Sequence, residues 1–276
     1  MLSRACIEKK FVVLYRCKSK IFIQGEIMLD REQIIANLTD KTVNVLVFDT
    51  VGSTNDVAKE LCTGDDRQYL VLADKQSSGR GRQGKSFFSP EGSGLYFSLT
   101  VNTASPDFDF TGVTCAVSVA VTRAIEKLTD LQPKIKWVND IYIADKKVCG
   151  ILVQAVNDLN RITKLVIGVG VNITTADFPD ELQKIAGSLN KKINRSILAA
   201  EIVNNIFELL QQKPDKYLGE YKQKSNVLGK EIIYTQNNTS HPATAVDIDE
   251  NGGLVVEENG KKTTLTSGEI SLRFPL

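Results

Sequence analysis

Histidine is nearly absent from this sequence, in which His241 is the single example. Zinc sites of the H-E-x-x-H type and histidine-assisted serine or cysteine nucleophiles are therefore excluded unless His241 itself takes part. This histidine stands in the polar, turn-rich stretch NNTSHPA, which favours an ordinary surface position. Acid–base chemistry at neutral pH must then depend on lysine, aspartate or glutamate, or the reaction does without it.

Patterned cysteines, excess charge and long apolar runs are also missing. The net charge is +1, so the chain as a whole shows no electrostatic signature of nucleic-acid or membrane binding. No apolar run approaches the roughly 20 residues of a membrane span, and we expect no membrane partner. The cysteines have no C-x-x-C spacing and predict reduced thiols in a cytoplasmic protein; they are Cys6, Cys17, Cys62, Cys115 and Cys149.

The length of 276 residues allows one large domain, or one domain with a small module. We predict an N-terminal extension at 1–40, a catalytic domain at 41–225 and a small all-β domain at 226–276. Residues 1–27 are basic, and the stretch QGEIM, which ends at Met28, is compatible with a purine-rich ribosome-binding site in the coding sequence. We hypothesise that synthesis begins at Met28, the alternative being a genuine basic tail.

The order of apolar patterns predicts an α+β fold. A short helix capped by Asp30 comes first, a second helix begins after Ser53, and Asn194 caps a later long helix. Residues 111–128 have the periodicity of an amphipathic helix with small residues on one face. Strands are predicted at 43–50, 69–74, 94–101 and 164–173, an antiparallel ribbon at 134–156, and short strands of a small β-barrel from Gly229 onward.

The glycine loop, residues 79–90 with the sequence GRGRQGKSFFSP, matches the dinucleotide-binding pattern G-x-G-x-x-G by letter only. That fingerprint requires the glycines to open a helix whose amides hold a pyrophosphate. Here aromatic residues, Pro90, further glycines and a β-type run follow, so we expect no helix and no nicotinamide or flavin cofactor. Arg80 and Arg82 instead give the loop forked cationic donors for phosphate or carboxylate oxygens.

Five motifs in register resemble those of biotin–protein ligases, also called biotin–[acetyl-CoA-carboxylase] ligases. They are STND at Ser53, the glycine loop, KWVND at Lys136, KVCGIL at Lys147 and VIGVGVNI ending at Ile173. The tail from Gly252 resembles that family's SH3-like barrel. The resemblance covers roughly residues 43–273. It implies a mixed sheet with flanking helices and a C-terminal SH3-like domain, in a monofunctional form without an N-terminal DNA-binding domain.

The resemblance also implies site residues. Lys147, Arg80, Arg82 and Asp140 would be catalytic. The biotin site would consist of Ser53, Thr54, Asn55, Gln76, Arg80, Gly81, Arg82, Lys147 and Gly150, and the ATP site of Lys136, Trp137, Asn139 and Asn172. Two departures from the family pattern are visible: Val138 stands where proline is usual, which loosens a turn, and Phe87 stands where tryptophan is frequent.

The implied reaction has two steps. Biotin and MgATP give biotinyl-5'-AMP and pyrophosphate, and a lysine of a biotin carboxyl carrier protein then displaces AMP. The attacking carboxylate is already ionised, so the first step requires no general base. Because no dense cluster of acidic residues forms a protein metal site, Mg²⁺ is expected to arrive with the nucleotide. Asp140 either serves the incoming amine or has a structural role in its turn.

Three alternatives stay open at this point. A lipoyl- or octanoyl-protein ligase has the same fold, although GRGRQG with KWVND favours biotin. A biotin-sensing transcription regulator needs a helix-turn-helix domain, which does not fit before Val43, so we predict no sequence-specific DNA binding. A peptide-binding SH3-like module would be only an appendage of the larger domain. The resemblance is compatible with either a monomer or a homodimer.

Overall fold

The computed structural model describes residues 29–63, 66–102, 110–158, 161–236 and 239–272. The hypothesis on residues 1–27, together with Cys6 and Cys17, lies outside them. The first described helix, α1 (Arg31–Asn37), begins as predicted, since the Asp30 side chain accepts hydrogen bonds from the amides of Glu32 and Gln33. The three cysteines in the described part, Cys62, Cys115 and Cys149, are buried and form no disulfide with one another.

A mixed seven-stranded sheet forms the centre of the larger part of the chain, as predicted. Its strand order is β1-β2-β3-β7-β6-β5-β4, with β1 and β2 parallel and every other neighbouring pair antiparallel. The strands are β1 (Asn44–Val51), β2 (Tyr69–Gln76), β3 (Gly94–Asn102), β4 (Lys134–Lys136), β5 (Asp140–Ile143), β6 (Lys146–Asp158) and β7 (Arg161–Asn172). The largely apolar β7 is central, which confirms its prediction as a buried strand.

Helices cover the two faces of this sheet unequally. The face with Leu70 and Leu72 packs in the main core, to which helices α1, α3, α5 and α6 contribute. The opposite face, with Tyr69 and Val71, packs against α2 in a smaller cluster. The helices after α1 are α2 (Thr54–Cys62), α3 (Phe110–Leu128), α4 (Asp180–Gln183), α5 (Arg195–Leu210) and α6 (Pro214–Lys224).

Helix α3 packs along α5, and both confirm their predictions. Ala116, Ala120 and Ala124 are fully buried, so the small-residue face of α3 allows close approach to its neighbours. The Asn194 side chain accepts from the amides of Ser196 and Ile197 and caps α5. Within the described residues, no helix is both long and apolar enough to cross a membrane.

The C-terminal module is a separate five-stranded antiparallel sheet, which confirms the all-β prediction. Its strand order is β11-β10-β9-β8-β12. The strands are β8 (Glu231–Gln236), β9 (Thr239–Ile248), β10 (Leu254–Glu258), β11 (Lys261–Leu265) and β12 (Glu269–Leu272). Ile232, Ala245 and Val256 form part of its buried interior. The exact domain limits at residues 41 and 226 stay predictions.

Candidate active site

A cavity of about 440 Å³ lies on the α2 face of the seven-stranded sheet. Its floor is the backbone of β6 and β7, and its walls come from the glycine loop, the β4–β5 turn, the segment after β7 and the β11–β12 turn. Every site residue expected from the sequence lines this one cavity: Ser53, Thr54, Asn55, Gln76, Arg80, Gly81, Arg82, Lys136, Trp137, Asn139, Asp140, Lys147, Gly150 and Asn172.

One end of the cavity holds a buried network of amides and hydroxyls. Gln76, at the end of β2, accepts hydrogen bonds from the Thr54 amide at 2.9 Å and the Thr54 hydroxyl at 3.1 Å. Its amide nitrogen donates to the Ser89 hydroxyl at 2.9 Å. The start of α2, the end of β2 and the glycine loop are thereby joined through one side chain.

Asn55 extends this network across the sheet. Its Oδ1 lies 2.5 Å from the Ser98 hydroxyl, and its Nδ2 donates to Gln154 Oε1 at 3.0 Å. Gly168 makes room for the amide, because a Cβ on this glycine would lie 2.2 Å from Asn55 Oδ1. The buried amide is therefore fixed by β3 and β6 and by the missing side chain of β7.

Ser53 occupies the N-cap position of α2, as predicted, but its side chain makes no capping hydrogen bond. Its carbonyl accepts from the Val57 amide at 3.2 Å and thus begins the helix. The side chain is 2 % exposed and faces the cavity wall. Ser53 thus contributes to the helix start through its backbone and to the cavity through its position.

The floor of the cavity is formed where two glycines meet in neighbouring strands. Gly150 of β6 pairs with Gly170 of β7, and the Phe87 ring lies above them. A Cβ on Gly170 would approach the Phe87 ring to 2.6 Å, and one on Gly150 would approach it to 3.2 Å. The edge of the Phe87 ring meets Tyr96, with ring centroids 6.3 Å apart. Phe87 therefore keeps the aromatic wall that the resemblance implies.

Lys147 and Asp140 form an ion pair above this floor. Lys147 Nζ lies 2.6 Å from Asp140 Oδ1, and both side chains are largely buried, at 32 % and 22 % exposure. A Cβ on Gly150 would come within 3.3 Å of the same ammonium group, so the lysine folds back over the glycine. The arrangement presents a positioned cation beside the open backbone of β6.

The glycine loop is a small hairpin between β2 and β3; it has a 3-10 turn at Arg82–Gly84 and no α-helix, so the expected absence of a helix is right for the α-helix only. Arg80 and Ser86 form an isolated antiparallel bridge, and the Phe87 amide donates to the Gly79 carbonyl at 2.9 Å. At the tip, Gln83 and Gly84 have positive φ angles of 54° and 76°. The chain thus reverses direction here and leads into a strand, which is incompatible with a dinucleotide-binding helix start.

The two arginines of the loop have different partners. Arg82 donates to Asn139 Oδ1 at 3.0 Å and, more distantly, to the Gly268 carbonyl of the C-terminal module at 3.5 Å. Arg80 pairs with Asp56 on α2, with both Nε and Nη2 at 2.9 Å, and its side chain is 57 % exposed. Arg82 is therefore anchored within the cavity, whereas Arg80 is held at its rim.

The other end of the cavity carries Asn172 and Tyr142. Asn172 Nδ2 donates to the Gly187 carbonyl at 3.0 Å, while its buried Oδ1 has no hydrogen-bond partner among the described residues. Burial raises the pKa of Tyr142 to about 12, with a smaller contribution from the Asp140 charge. The Tyr142 phenol therefore stays protonated at neutral pH and cannot act as a base there.

The segment after β7 is tied to the start of β6. The Lys147 amide donates to the Ile185 carbonyl, and the Gly187 amide donates to the Lys147 carbonyl, both at 2.9 Å. Lys146 Nζ donates to the carbonyls of Gln183 and Lys184 at 2.8 and 2.6 Å. Lys146 thus fastens the segment that carries part of the cavity wall, although its sequence context indicates only a turn lysine.

Several residues that line the cavity or orient its side chains have no counterpart among the sequence predictions. Ser98, Gln154 and Gly168 orient Asn55, and Gly268 reaches Arg82 from the C-terminal module. A serine within the apolar stretch GLYFSLTV and alternating glycines in VIGVGV are the available signals, since both are unusual in buried strands. His241 lies on β9, where its ring stacks on Tyr234 at a centroid distance of 5.0 Å.

In the part of the chain that the structure describes, no group of three or more histidine, cysteine, aspartate or glutamate side chains could hold a metal ion. The single carboxylate among the expected site residues, Asp140, is already paired with Lys147. The described residues that line the cavity therefore do not form a site for Mg²⁺ of the kind built from several oxygen ligands.

Two family models match the chain. Residues 47–172 match the biotin/lipoate A/B protein ligase family, and residues 227–273 match the biotin protein ligase C-terminal domain. The first match contains most of the cavity-lining residues, and the second contains the module that reaches Arg82.

Known proteins give the same result. The bifunctional ligase/repressor BirA of Bacillus subtilis is 30% identical over 240 residues, covering 83% of this chain and 74% of the relative. A biotin–[acetyl-CoA-carboxylase] ligase of Paracoccus denitrificans is 22% identical over 242 residues, covering 79% and 96%. Among solved structures, the biotin protein ligase of Aquifex aeolicus in complex with biotin and ATP has a TM-score of 0.73 and 28% identity, covering 83% of this chain and 98% of that one.

Proposed function

The chain is a ligase of the biotin/lipoate A/B protein ligase family, and we propose that it activates biotin with ATP and transfers it to a lysine of a carboxyl carrier protein. The observation that carries this proposal is the cavity itself. A buried amide network at one end, the Lys147–Asp140 pair in the middle and an unpaired acceptor on Asn172 at the other end all face one space.

The amide network suits the ring of biotin. A ureido group offers one carbonyl acceptor and two N–H donors, and the Thr54, Asn55 and Gln76 side chains carry both kinds of partner. The apolar dithiolane ring of a lipoyl group has no N–H or C=O group, so it would gain no hydrogen bonds from these side chains, which bond one another and their neighbours in the structure. The network therefore supports biotin over the lipoyl alternative.

In the first step, an oxygen of the biotin carboxylate attacks the α-phosphorus of ATP. The bond from this phosphorus to the oxygen that bridges the α- and β-phosphates breaks. Pyrophosphate leaves with the bonding electrons, and biotinyl-5'-AMP remains. Lys147 lies above the Gly150 backbone, where a bound carboxylate and α-phosphate would meet. Arg82 adds a second fixed cation, so both groups can offset the negative charge that builds up on the phosphate oxygens.

The nucleotide would occupy the end of the cavity with Lys136, Trp137 and Asn172. The unpaired Asn172 Oδ1 can accept a hydrogen bond from an N–H or O–H group of the bound nucleotide, which would remove the cost of a buried acceptor without a partner. Since the cavity has no set of several carboxylates for a metal, we propose that Mg²⁺ enters with the triphosphate, whose oxygens are its ligands.

In the second step, the amine nitrogen of the carrier lysine attacks the biotinyl carbonyl carbon. The bond from that carbon to the phosphate oxygen breaks, AMP leaves, and the nitrogen loses a proton as the amide forms. We propose Asp140 as the group that orients the amine and accepts this proton. The loop that carries Arg82 would exclude water from the mixed anhydride in the interval between the steps.

Biotin-dependent exchange between ATP and pyrophosphate tests the first step. The wild-type protein is expected to exchange label only when biotin is present, and to transfer labelled biotin to a carrier domain in a second assay. Lipoic acid and octanoic acid serve as matched alternatives in both assays. Exchange that depends on lipoic acid and not on biotin would reject the proposal and favour the other ligase class.

Replacing Gly168 by alanine is expected to weaken biotin binding by about tenfold or more, because the added Cβ displaces the Asn55 amide from its buried partners. Calorimetric titration with biotin measures this change. Gly219→Ala is the matched control, since a Cβ at Gly219 meets no atom within 4 Å. An unchanged biotin affinity in the Gly168 variant would remove Asn55 from the biotin site.

Replacing Asp140 by asparagine separates two roles of this carboxylate. If Asp140 only holds Lys147 in place, the exchange rate and the transfer rate fall by the same factor. We expect transfer from preformed biotinyl-AMP to fall about tenfold further than exchange, because the proton acceptor is lost as well. Single-turnover transfer to a carrier domain, measured beside exchange, distinguishes the two, and equal losses would leave Asp140 as a positioning group only.

A further inference from the structure

The turn between β9 and β10 of the C-terminal module has a fixed conformation. The Asp249 carboxylate accepts hydrogen bonds from the Asn251 amide at 3.0 Å and the Gly253 amide at 2.7 Å. The Asp249 amide donates to the Gly253 carbonyl at 2.8 Å, and the Gly252 amide donates back to the Asp249 carbonyl at 3.1 Å. These bonds set the direction in which the Gly252 carbonyl points.

The Gly252 carbonyl points into the larger domain and accepts a hydrogen bond from Trp137 Nε1 at 2.9 Å. The contact is buried, since the Trp137 side chain is only 4 % exposed. Gly252 has a positive φ of 84°, and a Cβ there would lie 2.9 Å from Cys115 Sγ on α3. Only glycine therefore satisfies both the backbone conformation and the close approach to α3.

Trp137 begins a short segment on which two of the cavity's cations, Arg82 and Lys147, depend. The segment is Trp137–Asp140, whose first peptide bond is cis. Its Val138 carbonyl accepts from the Tyr221 hydroxyl at 3.2 Å, so the position where the family usually has proline is held by a hydrogen bond from α6. Asn139 binds Arg82, and Asp140 binds Lys147. A shift of this segment would move the partners of both cations together.

We propose that the turn at Asp249–Gly253 is a positioning element for adenylation, acting through the Gly252–Trp137 hydrogen bond on the segment that anchors Arg82 and Lys147. The inference rests on the proposed function and adds a residue that touches neither substrate. It assigns the C-terminal module a defined part in the first half-reaction, separate from any contact with the carrier protein. Biotin binding at the Thr54–Gln76 end is expected not to depend on it.

Gly252→Ala tests the proposal against Gly260→Ala. Gly260 lies in the β10–β11 turn of the same module and also has a positive φ, of 76°, but a Cβ there meets no atom within 4 Å. The two variants therefore share the backbone cost and differ in the contact with the larger domain. We expect Gly252→Ala to lower kcat/KM for ATP in pyrophosphate exchange by about tenfold or more, the scale of one lost buried hydrogen bond.

In the same experiment, the Kd for biotin is expected to stay within about twofold for both variants, because distant sites contribute independently. Gly260→Ala is expected to keep its exchange activity. Equal losses in the two glycine variants would overturn the proposal, since they would report only a destabilised module. An inactive wild-type protein would instead reject the proposed function, so the two failures are distinguishable.

A double-mutant cycle with Trp137→Phe tests the coupling directly. Phenylalanine keeps an aromatic ring and removes the N–H donor, so Gly252→Ala and Trp137→Phe disrupt the same hydrogen bond. We expect the exchange activity of the double variant to be about the same as that of the less active single variant. Losses that multiply would show that the two residues act independently, which contradicts the proposal even if all the variants fold.

Discussion

Replacing Lys147 by methionine is expected to lower biotin-dependent pyrophosphate exchange by about 10²–10³-fold, the range found when one fixed donor to a developing anion is removed. Methionine has a similar length, so the space is kept while the charge is lost. The substitution should lower kcat, because the Lys147 cation stabilises negative charge on the phosphate oxygens that is greatest in the transition state. Steady-state exchange at saturating biotin and ATP measures it.

Lys191 provides a matched control for this variant. It forms an ion pair of the same 2.6 Å length with Asp130, at a position that does not line the cavity. Lys191→Met is expected to leave exchange near the wild-type rate, since exposed ion pairs contribute little to stability. If Lys147→Met kept wild-type exchange while binding both substrates, Lys147 would have no catalytic role, and the central assignment would be wrong.

Replacing Arg82 by alanine is expected to have two measurable effects. Exchange should slow by about 10²-fold or more, because a cation near the phosphate and the anchor of the glycine loop are lost together. Biotinyl-AMP should also leave the enzyme faster, since Arg82 joins the loop to Asn139 and to the Gly268 carbonyl. A rapid filtration or chase experiment with labelled intermediate measures the release.

The two effects of Arg82 are separated by Arg82→Lys. Lysine keeps the charge but cannot contact Asn139 and Gly268 with a forked group. We expect this variant to recover part of the exchange rate and to release the intermediate nearly as fast as the alanine variant. Slow release in the alanine variant would mean that Arg82 does not hold the loop closed. Arg31→Ala is a suitable control, because Arg31 also donates to a backbone carbonyl, that of Val45, and both residues are distant in sequence from the glycine loop.

The sequence contained enough information to predict the cavity residues that belong to ordered motifs. Thr54 begins helix α2, Gln76 ends β2 and Lys147 lies at the start of β6, so their convergence follows from the fold. The prediction that a strand and no α-helix follows the glycines is also confirmed, because Pro90 and the β-type run are local signals. The caps at Asp30 and Asn194 are likewise local and were confirmed.

Features that depend on strand register or on contacts between distant segments could not be predicted from the sequence. Gly168 makes room for Asn55 only because β7 lies between β3 and β6, a consequence of the whole sheet order. Helix α6 was missed because PDKYLGEYKQK contains glycine and many charged residues, and its helicity depends on packing against α3. The contacts of Gly252 and Gly268 join segments more than a hundred residues apart.

These two contacts have a consequence for the time course of synthesis. A chain leaves the ribosome from its N-terminus at about 5–20 residues per second, and Lys147 and Arg82 emerge long before Gly252 and Gly268. An unfinished chain therefore has the proposed catalytic cations without the turns that hold their partners. Under the proposed mechanism, we expect a reactive acyl-adenylate to be formed and retained only after the last wall of the cavity has been translated, which would protect the nascent protein and its neighbours from stray acylation.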